Sequence, residues 1–255
     1  FLSGRTGAPL PEVGTEAARY MAKAEEHRAR GERDRALSSY QKALDAEPEN
    51  PTLLMSFAML CLSLDRWEEL ETAARRVLEL NPGEMLRATA SAALIAALRS
   101  GGKFREGNRI GKLLLQEGAS NFTRTIAYFE MAYNLAEMEE ELDQALEYAQ
   151  QALDLAPDEL KQFPLAAKGW VHYKRKEYVQ AVECLEKSND LGSSPTTLTH
   201  LGMAFLAAGN EDKARGAFGR ARDLEPRVGA LEEKMMECMR DSSRLLERVQ
   251  QRQKR

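Results

Sequence analysis

Few side chains in this sequence are of the types that catalyse reactions or bind metals. The histidines and cysteines are His27, His172, His200, Cys61, Cys184 and Cys238. No two of these residues have the short spacing of zinc ligands in a sequence motif. No HExxH, CxxC, GxGxxG or GxxxxGK[ST] motif is present. The sequence therefore predicts a protein that has no cofactor and no metal and is not an enzyme.

Acidic residues are concentrated in one short segment, residues 137–143. It contains Glu137, Glu139, Glu140, Glu141 and Asp143. A calcium-binding loop alternates Asp or Asn with other residues and needs a central glycine, and this segment has neither feature. We therefore interpret it as a solvated turn between helices.

Composition favours helices and protein partners. Hydrophobic residues make up 43% of the 255 residues, aromatic residues only 7%, and strong helix formers dominate. The net charge of -4 provides no general attraction to phosphate backbones, so we expect no nucleic acid partner. No apolar run approaches the roughly 18–20 residues of a membrane span. An odd number of cysteines is typical of free thiols in a reducing compartment, which favours a cytoplasmic protein.

A period of 34 residues organises the chain. Pro48 and Pro82 are 34 positions apart, and each ends a similar segment. The four similar segments are ALSSYQKALDAEPEN, LETAARRVLELNPGE, ALEYAQQALDLAPDE and ARGAFGRARDLEPRV. In three of them alanines lie twelve and five residues before the proline, as Ala214 and Ala221 precede Pro226. A repeat of this length predicts stacked supersecondary units.

These residues resemble the tetratricopeptide repeat family, whose pattern is W-x2-L-G-x2-Y, then A-x3-F, then P. The last repeat is most similar: it has Leu198, Leu201, Gly202, Phe205, Ala214, Phe218 and Pro226. The resemblance implies an all-α, right-handed α-solenoid of about six helical hairpins. The predicted organisation is a linker or disordered leader at 1–14, repeats near 17–50, 51–84, 85–125, 126–159, 162–195 and 195–228 within a solenoid at 15–226, a capping helix at 228–250, and a basic tail at 251–255.

Some repeats depart from the pattern. The unit at 85–125 is degenerate, and the unit at 126–159 carries an extra residue near Glu139. We expect small residues such as Gly169 and Gly202 to let the two helices of a hairpin approach closely. Gly31 and Gly209 fall where the turn requires positive φ. His27 and His172 occupy a family position that lies inside the hairpin, which predicts buried or partly buried rings.

The resemblance also implies where a partner would bind. In this family the first helix of each hairpin lines a concave face. The corresponding residues here are Met55, Met59, Leu62, Glu130, Asn134, Phe163, Trp170, Tyr173, Lys174, Met203 and Leu206. Most are apolar, and exposed apolar patches mark recognition sites. Family members that clamp a chaperone carboxylate use Lys and Asn at positions that here hold Met21, Glu25 and Ser56, so that subtype is not expected.

The sequence favours an adaptor or scaffold that binds a protein or peptide in this groove. Two alternatives remain open, a regulatory segment of a larger enzyme or sensor and a secretion or pilus-assembly factor. A helical-repeat RNA reader is disfavoured, because base-reading side chains are not evident in each repeat. The sequence identifies neither the partner nor the oligomeric state.

Overall fold

A computed structural model of the chain describes residues 14–116 and 118–224. Within these ranges the regular structure is helical, without β-strands, which confirms the predicted all-α fold. The predicted capping helix and basic tail, and the leader except for Gly14, lie outside the described residues. The helices are α1 (Thr15–Ala29), α2 (Arg33–Ala46), α3 (Pro51–Ser63), α4 (Trp67–Glu79), α5 (Glu84–Ser100), α6 (Phe104–Leu114), α7 (Asn121–Met138), α8 (Leu142–Leu155), α9 (Gln162–Lys174), α10 (Tyr178–Leu191), α11 (Pro195–Ala207) and α12 (Glu211–Leu224), with a 3-10 turn at Asp158–Leu160.

Successive helices pair as hairpins, and α1, α5 and α7 begin two, one and five residues before the predicted starts of their repeats. The chain divides into a first unit that ends at Glu130 and a second that begins at Met131, so the boundary falls inside α7. In the first unit α2 packs on α1 and α3, and α5 packs on α3, α4 and α6. In the second unit α9 packs on α8, α10 and α11, while α11 packs on α10 and α12. Each unit is therefore a stack of hairpins.

The turn inside each described hairpin has the same hydrogen bonds. A left-handed residue follows the first helix, and its N–H donates to the carbonyl three residues back, while the next N–H donates to the carbonyl five back. These left-handed residues are Gly31, Asp65, Gly102, Glu139, Lys176 and Gly209. The bonds satisfy carbonyls that a helix end otherwise leaves open. The positive φ predicted at Gly31 (72°) and Gly209 (82°) is confirmed.

The fourth hairpin contains one more residue in its turn than the others. Ala36 lies five positions after Gly31, and Ala214 lies five positions after Gly209, but Ala145 lies six positions after Glu139. The additional residue leaves Glu141 in a second left-handed conformation, φ 46°, directly before α8. The extra residue predicted near Glu139 is thus confirmed.

Side-chain volumes on the two helices of a hairpin are complementary. A Cβ added to Gly202 would lie 2.5 Å from the ring of Phe218, and one added to Gly169 would lie 2.6 Å from Cγ of Leu185. Both large side chains are buried, so the glycines create the space that they fill. Close contact between the two helices therefore depends on a small residue in the first one.

Side-chain caps specify the starts of α3 and α11. The Asn50 side chain accepts hydrogen bonds from the backbone N–H groups of Thr52 and Leu53 at 3.0 and 3.3 Å. Ser194 similarly accepts from the Thr197 N–H at 3.0 Å. A proline follows each cap at the first helical position, where its missing N–H leaves no bond unmade. Both capped helices are first helices of their hairpins, so the caps fix where the candidate surface begins.

Candidate functional site

The first helices of two hairpins are unusually poor in charge. Neither α3 (PTLLMSFAMLCLS) nor α11 (PTTLTHLGMAFLA) contains Asp, Glu, Lys or Arg. Their partners in the hairpins, α4 and α12, contain at least five charged residues each. A surface helix of a globular protein normally has one charged face. Seven residues of α3 and eight of α11 are buried, and the side chains that these helices leave accessible carry no carboxylate, ammonium or guanidinium group.

In the first unit the apolar face of α3 presents flexible side chains. Met59 is 47% exposed, and Leu62 is half-buried against the core. On α5, Met85 is 50% exposed. Methionine has an unbranched and polarisable side chain, which can adapt to partners of different shape. This face has the properties of an adaptable apolar contact surface.

In the second unit aromatic rings from four helices pack together. We call Tyr133, Trp170, Tyr173, Tyr178 and His200 the aromatic cluster. The Trp170 ring lies between His200, at 3.8 Å and 11° between planes, and Tyr173, at 4.8 Å and 4°. Tyr133 and Tyr178 contact the ends of this stack, with centroids 6.2 Å from His200 and 5.8 Å from Tyr173. The cluster therefore joins α7, α9, α10 and α11 through ring contacts.

Polar contacts hold Trp170 in place at the edge of the cluster. Its indole N–H donates a hydrogen bond of 3.0 Å to Oε1 of Glu137. The Lys174 ammonium lies 5.1 Å from the indole ring and 3.0 Å from Oε1 of Glu139. A buried indole that has its N–H satisfied is a rigid element. The acidic segment therefore contacts the cluster directly.

The sequence-predicted site residues divide by exposure. Met59 and Phe163 are exposed, while Leu62, Tyr173, Lys174, Met203 and Leu206 are half-buried. Four others are buried, contrary to the exposure expected from the family positions: Met55, Glu130, Asn134 and Trp170. Trp170 retains only 2% exposure because His200 and Tyr173 cover both of its faces. The binding role of the seven accessible residues stays a prediction.

Glu130 is buried because it forms an ion pair. Its Oε2 lies 2.7 Å from Nη1 of Arg99, and its side chain is 7% exposed against 22% for Arg99. When a pair has so little contact with water, removing one charge leaves the other poorly solvated, which destabilises the fold. Glu130 therefore links α5 to α7 within the first unit.

Two histidines close hairpin turns. Nδ1 of His172 lies 2.6 Å from Oε2 of Glu177, and Nδ1 of His27 lies 2.6 Å from Oε2 of Glu32. Arg175 and then His172 hold the pKa of Glu177 below its ordinary value through hydrogen bonds. His172 is buried and His27 half-buried, as the sequence predicted. Both rings therefore connect a first helix to the start of the second.

No other feature of residues 14–116 and 118–224 resembles a reactive site. Among those residues, no group of three or more His, Cys, Asp and Glu side chains could hold a metal ion. Burial raises the pKa of Cys61 to about 12 and also raises that of Cys184, so both thiols stay protonated. None of the described helices has the length and apolar character needed to cross a membrane.

A shallow cleft lies in the second unit between α10, α11 and α12. Its volume is about 540 Å³, and Leu201 and Phe205 line it together with charged residues. Two polar contacts cross it: Lys213 approaches Glu186 at 3.9 Å, and Arg220 donates to the Asn189 side chain at 3.3 Å. The cleft therefore lacks the converging polar groups of a small-molecule site.

Sequence reasoning did not bring Tyr133 or His200 into the site. His200 has no acidic or cysteine neighbour at ligand spacing, and its role depends on contact with a ring 30 residues away. Its one sequence signal was its place on the uncharged helix α11, two residues before Gly202. That His200 faces the first helix of the preceding hairpin becomes evident only when the hairpins are stacked.

Comparison with known proteins identifies the repeat. A family model described as Tetratricopeptide repeat matches residues 20–52. No curated protein matches the chain. One chain of the APC/C hetero-tetramer Cut9-Hcn1 is similar with a TM-score of 0.60 and 13% identity, covering 88% of this chain and 42% of that one.

Two further solved structures are similar over nearly their whole length. PilW, a type IV pilus biogenesis factor, matches with a TM-score of 0.58 and 15% identity over 87% of this chain and 99% of PilW. PilF of Pseudomonas aeruginosa matches with a TM-score of 0.52 and 16% identity over 87% of this chain and 97% of PilF. At such identities the likeness establishes the fold.

Proposed function

We propose, because the chain is a tetratricopeptide-repeat protein, that it is a non-catalytic adaptor that binds a segment of a partner protein against its first helices. One observation carries this proposal. The first helices α3 and α11 contain no Asp, Glu, Lys or Arg, and first helices expose large apolar side chains, with Met59 47% and Phe163 42% exposed. Burial of apolar surface by a partner is the favourable term that such a face can supply.

The rigidity of the second unit supports the same function. Trp170 is fixed by two stacked rings, by the Glu137 carboxylate and by the Lys174 ammonium. A surface that is already ordered loses little conformational entropy when it binds. The aromatic cluster thus acts as a rigid support, while Phe163, Met203 and Leu206 supply contact area next to it.

Direct binding can be tested with apolar-to-charged substitutions at exposed positions. Phe163→Glu and Met59→Glu should remove most of the co-purified partner, because each places a carboxylate in an apolar interface. Val179→Glu is the matched control: Val179 is 66% exposed but lies on the second helix α10. Trp170→Ala is unsuitable, because it would open a cavity in the core.

The measurement is quantitative mass spectrometry of proteins captured by the full chain and by each variant, with circular dichroism to verify helicity. A partner set that is unchanged by both first-helix variants, or reduced equally by Val179→Glu, would contradict the proposal. The cellular compartment of the captured partners also indicates where the protein acts. We propose a cytoplasmic adaptor, an assignment supported by the free thiols of Cys61 and Cys184.

A role in type IV pilus assembly is a second candidate. The observation that favours it is length: the match extends over 99% of PilW and 97% of PilF, but over 42% of the Cut9-Hcn1 chain. Deletion of the gene followed by electron microscopy of surface pili tests this role. Normal pili would exclude it and leave the adaptor function standing.

A regulatory segment of a larger enzyme or sensor is the third reading of the same fold. In that case the bound segment belongs to the same polypeptide, and the first helices hold it in cis. Cross-linking mass spectrometry of the full-length gene product would then detect links between residues near Phe163 or Met59 and another segment of the same polypeptide. An adaptor would instead give links to other proteins.

A further inference from the structure

We infer that the segment bound by the second unit is basic: a short amphipathic helix whose apolar stripe contacts α9 and α11 and whose lysines or arginines meet the acidic turn of the fourth hairpin. This inference rests on the proposed binding function and adds the chemistry of the partner. It is carried by the charge balance of residues 131–224, by the engagement of the cations near the turn, and by the position of the carboxylates beside the aromatic cluster.

The described part of the second unit is strongly acidic. Residues 131–224 contain ten Lys and Arg residues and sixteen Asp and Glu residues, which gives a net charge of -6. Five of these acids lie in residues 137–143, a segment without a basic residue. Glu139, Glu140 and Glu141 are exposed. A field of this sign attracts cationic segments and repels anionic ones.

The cations closest to this turn are already engaged. Lys174 is bound between Glu139 and the Trp170 ring, and its side chain is only 16% exposed. Arg175 forms ion pairs with both Asp143 and Glu177. Lys176 is the remaining cation of this turn. Residues 137–143 and 174–177 contain six carboxylates and three cations. Four of the carboxylates already contact Trp170, Lys174, Arg175 or His172, so a basic partner would meet the net surplus of negative charge rather than six separate sites.

The carboxylates supply the negative potential at this edge. Both α7 and α9 end there, since Glu137 contacts Trp170 and Glu139 contacts Lys174. Because α8 and α10 begin at the same turns, the opposite partial charges of the helix ends largely cancel. The apolar contact residues Phe163, Met203 and Leu206 lie on α9 and α11. The geometry thus places apolar contacts along the helices and anionic groups at their ends.

The test uses the full chain and two synthetic amphipathic helices that share one Leu and Met stripe. One peptide carries lysine at every polar position and the other carries glutamate. We expect the lysine peptide to bind at least about tenfold more tightly by fluorescence anisotropy at low ionic strength. The difference should shrink at about 0.5 M salt, where screening acts over a few ångströms.

Charge variants locate the effect. Glu140→Gln combined with Glu141→Gln should weaken binding of the lysine peptide about threefold to tenfold, as expected for exposed ion pairs. The control, Glu159→Gln combined with Glu183→Gln, removes two exposed acids outside the turn and should leave the affinity unchanged. Glu139 is retained in both variants because it pairs with Lys174.

Each outcome separates the two proposals. If the glutamate peptide binds as well or better, and Phe163→Glu abolishes its binding, the inference is overturned while the adaptor function stands. Equal effects of the turn variant and the control would also overturn it. If neither peptide binds and Phe163→Glu leaves the set of captured partners unchanged, the adaptor function is refuted, and the inference is refuted with it.

Discussion

Replacing one glycine in the core by alanine should reverse the usual effect of that substitution. Gly202 lies inside α11, where alanine normally stabilises a helix by about 1 kcal/mol relative to glycine. In this hairpin a Cβ at position 202 would lie 2.5–2.7 Å from three carbon atoms of the Phe218 ring. Contacts between unbonded carbon atoms are favourable near 3.5–4.0 Å, so the ring or the helix must move by about 1 Å.

The magnitude follows from two opposing terms. Phe218 is 2% exposed and packs among Ala181, Leu185 and Leu201, so it has no free space to move into. Overpacking a well-packed core is unfavourable by about 1–3 kcal/mol, and three close ring contacts place this site near the upper value. Subtracting the gain in helix propensity leaves a net destabilisation of about 2 kcal/mol.

Gly216→Ala is the matched control. Gly216 also lies in a helix interior, α12, but no atom lies within 4 Å of an added Cβ. Without a steric term it should stabilise the protein by about 1 kcal/mol. The two alanine variants should therefore differ by about 3 kcal/mol in the free energy of unfolding.

Urea denaturation followed by circular dichroism measures the difference. Because repeat proteins can unfold in more than one step, the comparison requires similar m-values in all variants. Phe218→Leu in the Gly202→Ala background should recover part of the loss, which gives a coupling energy between the two sites. If Gly202→Ala is as stable as Gly216→Ala, helix pairing does not depend on this close approach, and the packing argument is refuted.

Three further predictions concern caps, charge and thiol chemistry. Asn50→Ala should destabilise the protein by about 1 kcal/mol in urea denaturation, because two N–H groups at the start of α3 lose their acceptor. Glu130→Gln should destabilise it by about 2 kcal/mol in the same assay, because it removes the carboxylate that pairs with the half-buried Arg99 charge, and Arg99→Gln should have a similar effect. Because burial raises the pKa of Cys61 to about 12, its alkylation at pH 8 should be slow in the folded protein and fast in urea, as read by peptide mapping. For the same reason stability should fall as pH rises from the ordinary thiol pKa toward 12, where the unfolded thiol ionises and the folded one does not.

The fold was predictable because the repeat has a fixed phase. Prolines and alanines recurring at one spacing indicate where second helices lie, and stacking then follows, since no hairpin can bury its apolar face alone. The turns were only partly predictable. Glycine was expected at the left-handed position, but Asp65 and Lys176 adopt φ of 55° and 65° there. The hydrogen bonds of the turn hold these residues in a conformation that their own preference opposes.

The third repeat looked degenerate because large and small residues had exchanged helices. Ile95 occupies the position that Gly202 holds in the last repeat, seven residues before the left-handed residue, and Gly111 occupies the position of Phe218. Ile95 and Gly111 are both buried. A search for a small residue in the first helix misses such an exchange, although the summed volume of the pair is what packing requires.

The candidate site was predictable as a surface and not as individual contacts. Phe163 and Met59 were placed correctly on exposed parts of first helices. Trp170 was assigned to the surface because its position in the repeat faces outward in related proteins, yet His200 of the next hairpin covers it. Burial of this kind depends on which ring the neighbouring repeat supplies, and a single-repeat pattern carries no such information.

The contrast between turns and links determines where this chain can change length. An α-helix turns by about 100° per residue, so one residue added between a left-handed residue and the following helix would rotate that helix off its apolar stripe unless the backbone absorbs it. The fourth hairpin absorbs its extra residue through the left-handed Glu141, and Ala145 remains fully buried. The links between hairpins differ in length, from three residues before α11 to six before α9. Over evolutionary time, insertions should therefore accumulate in those links, and a laboratory graft of a whole hairpin should join its neighbours there.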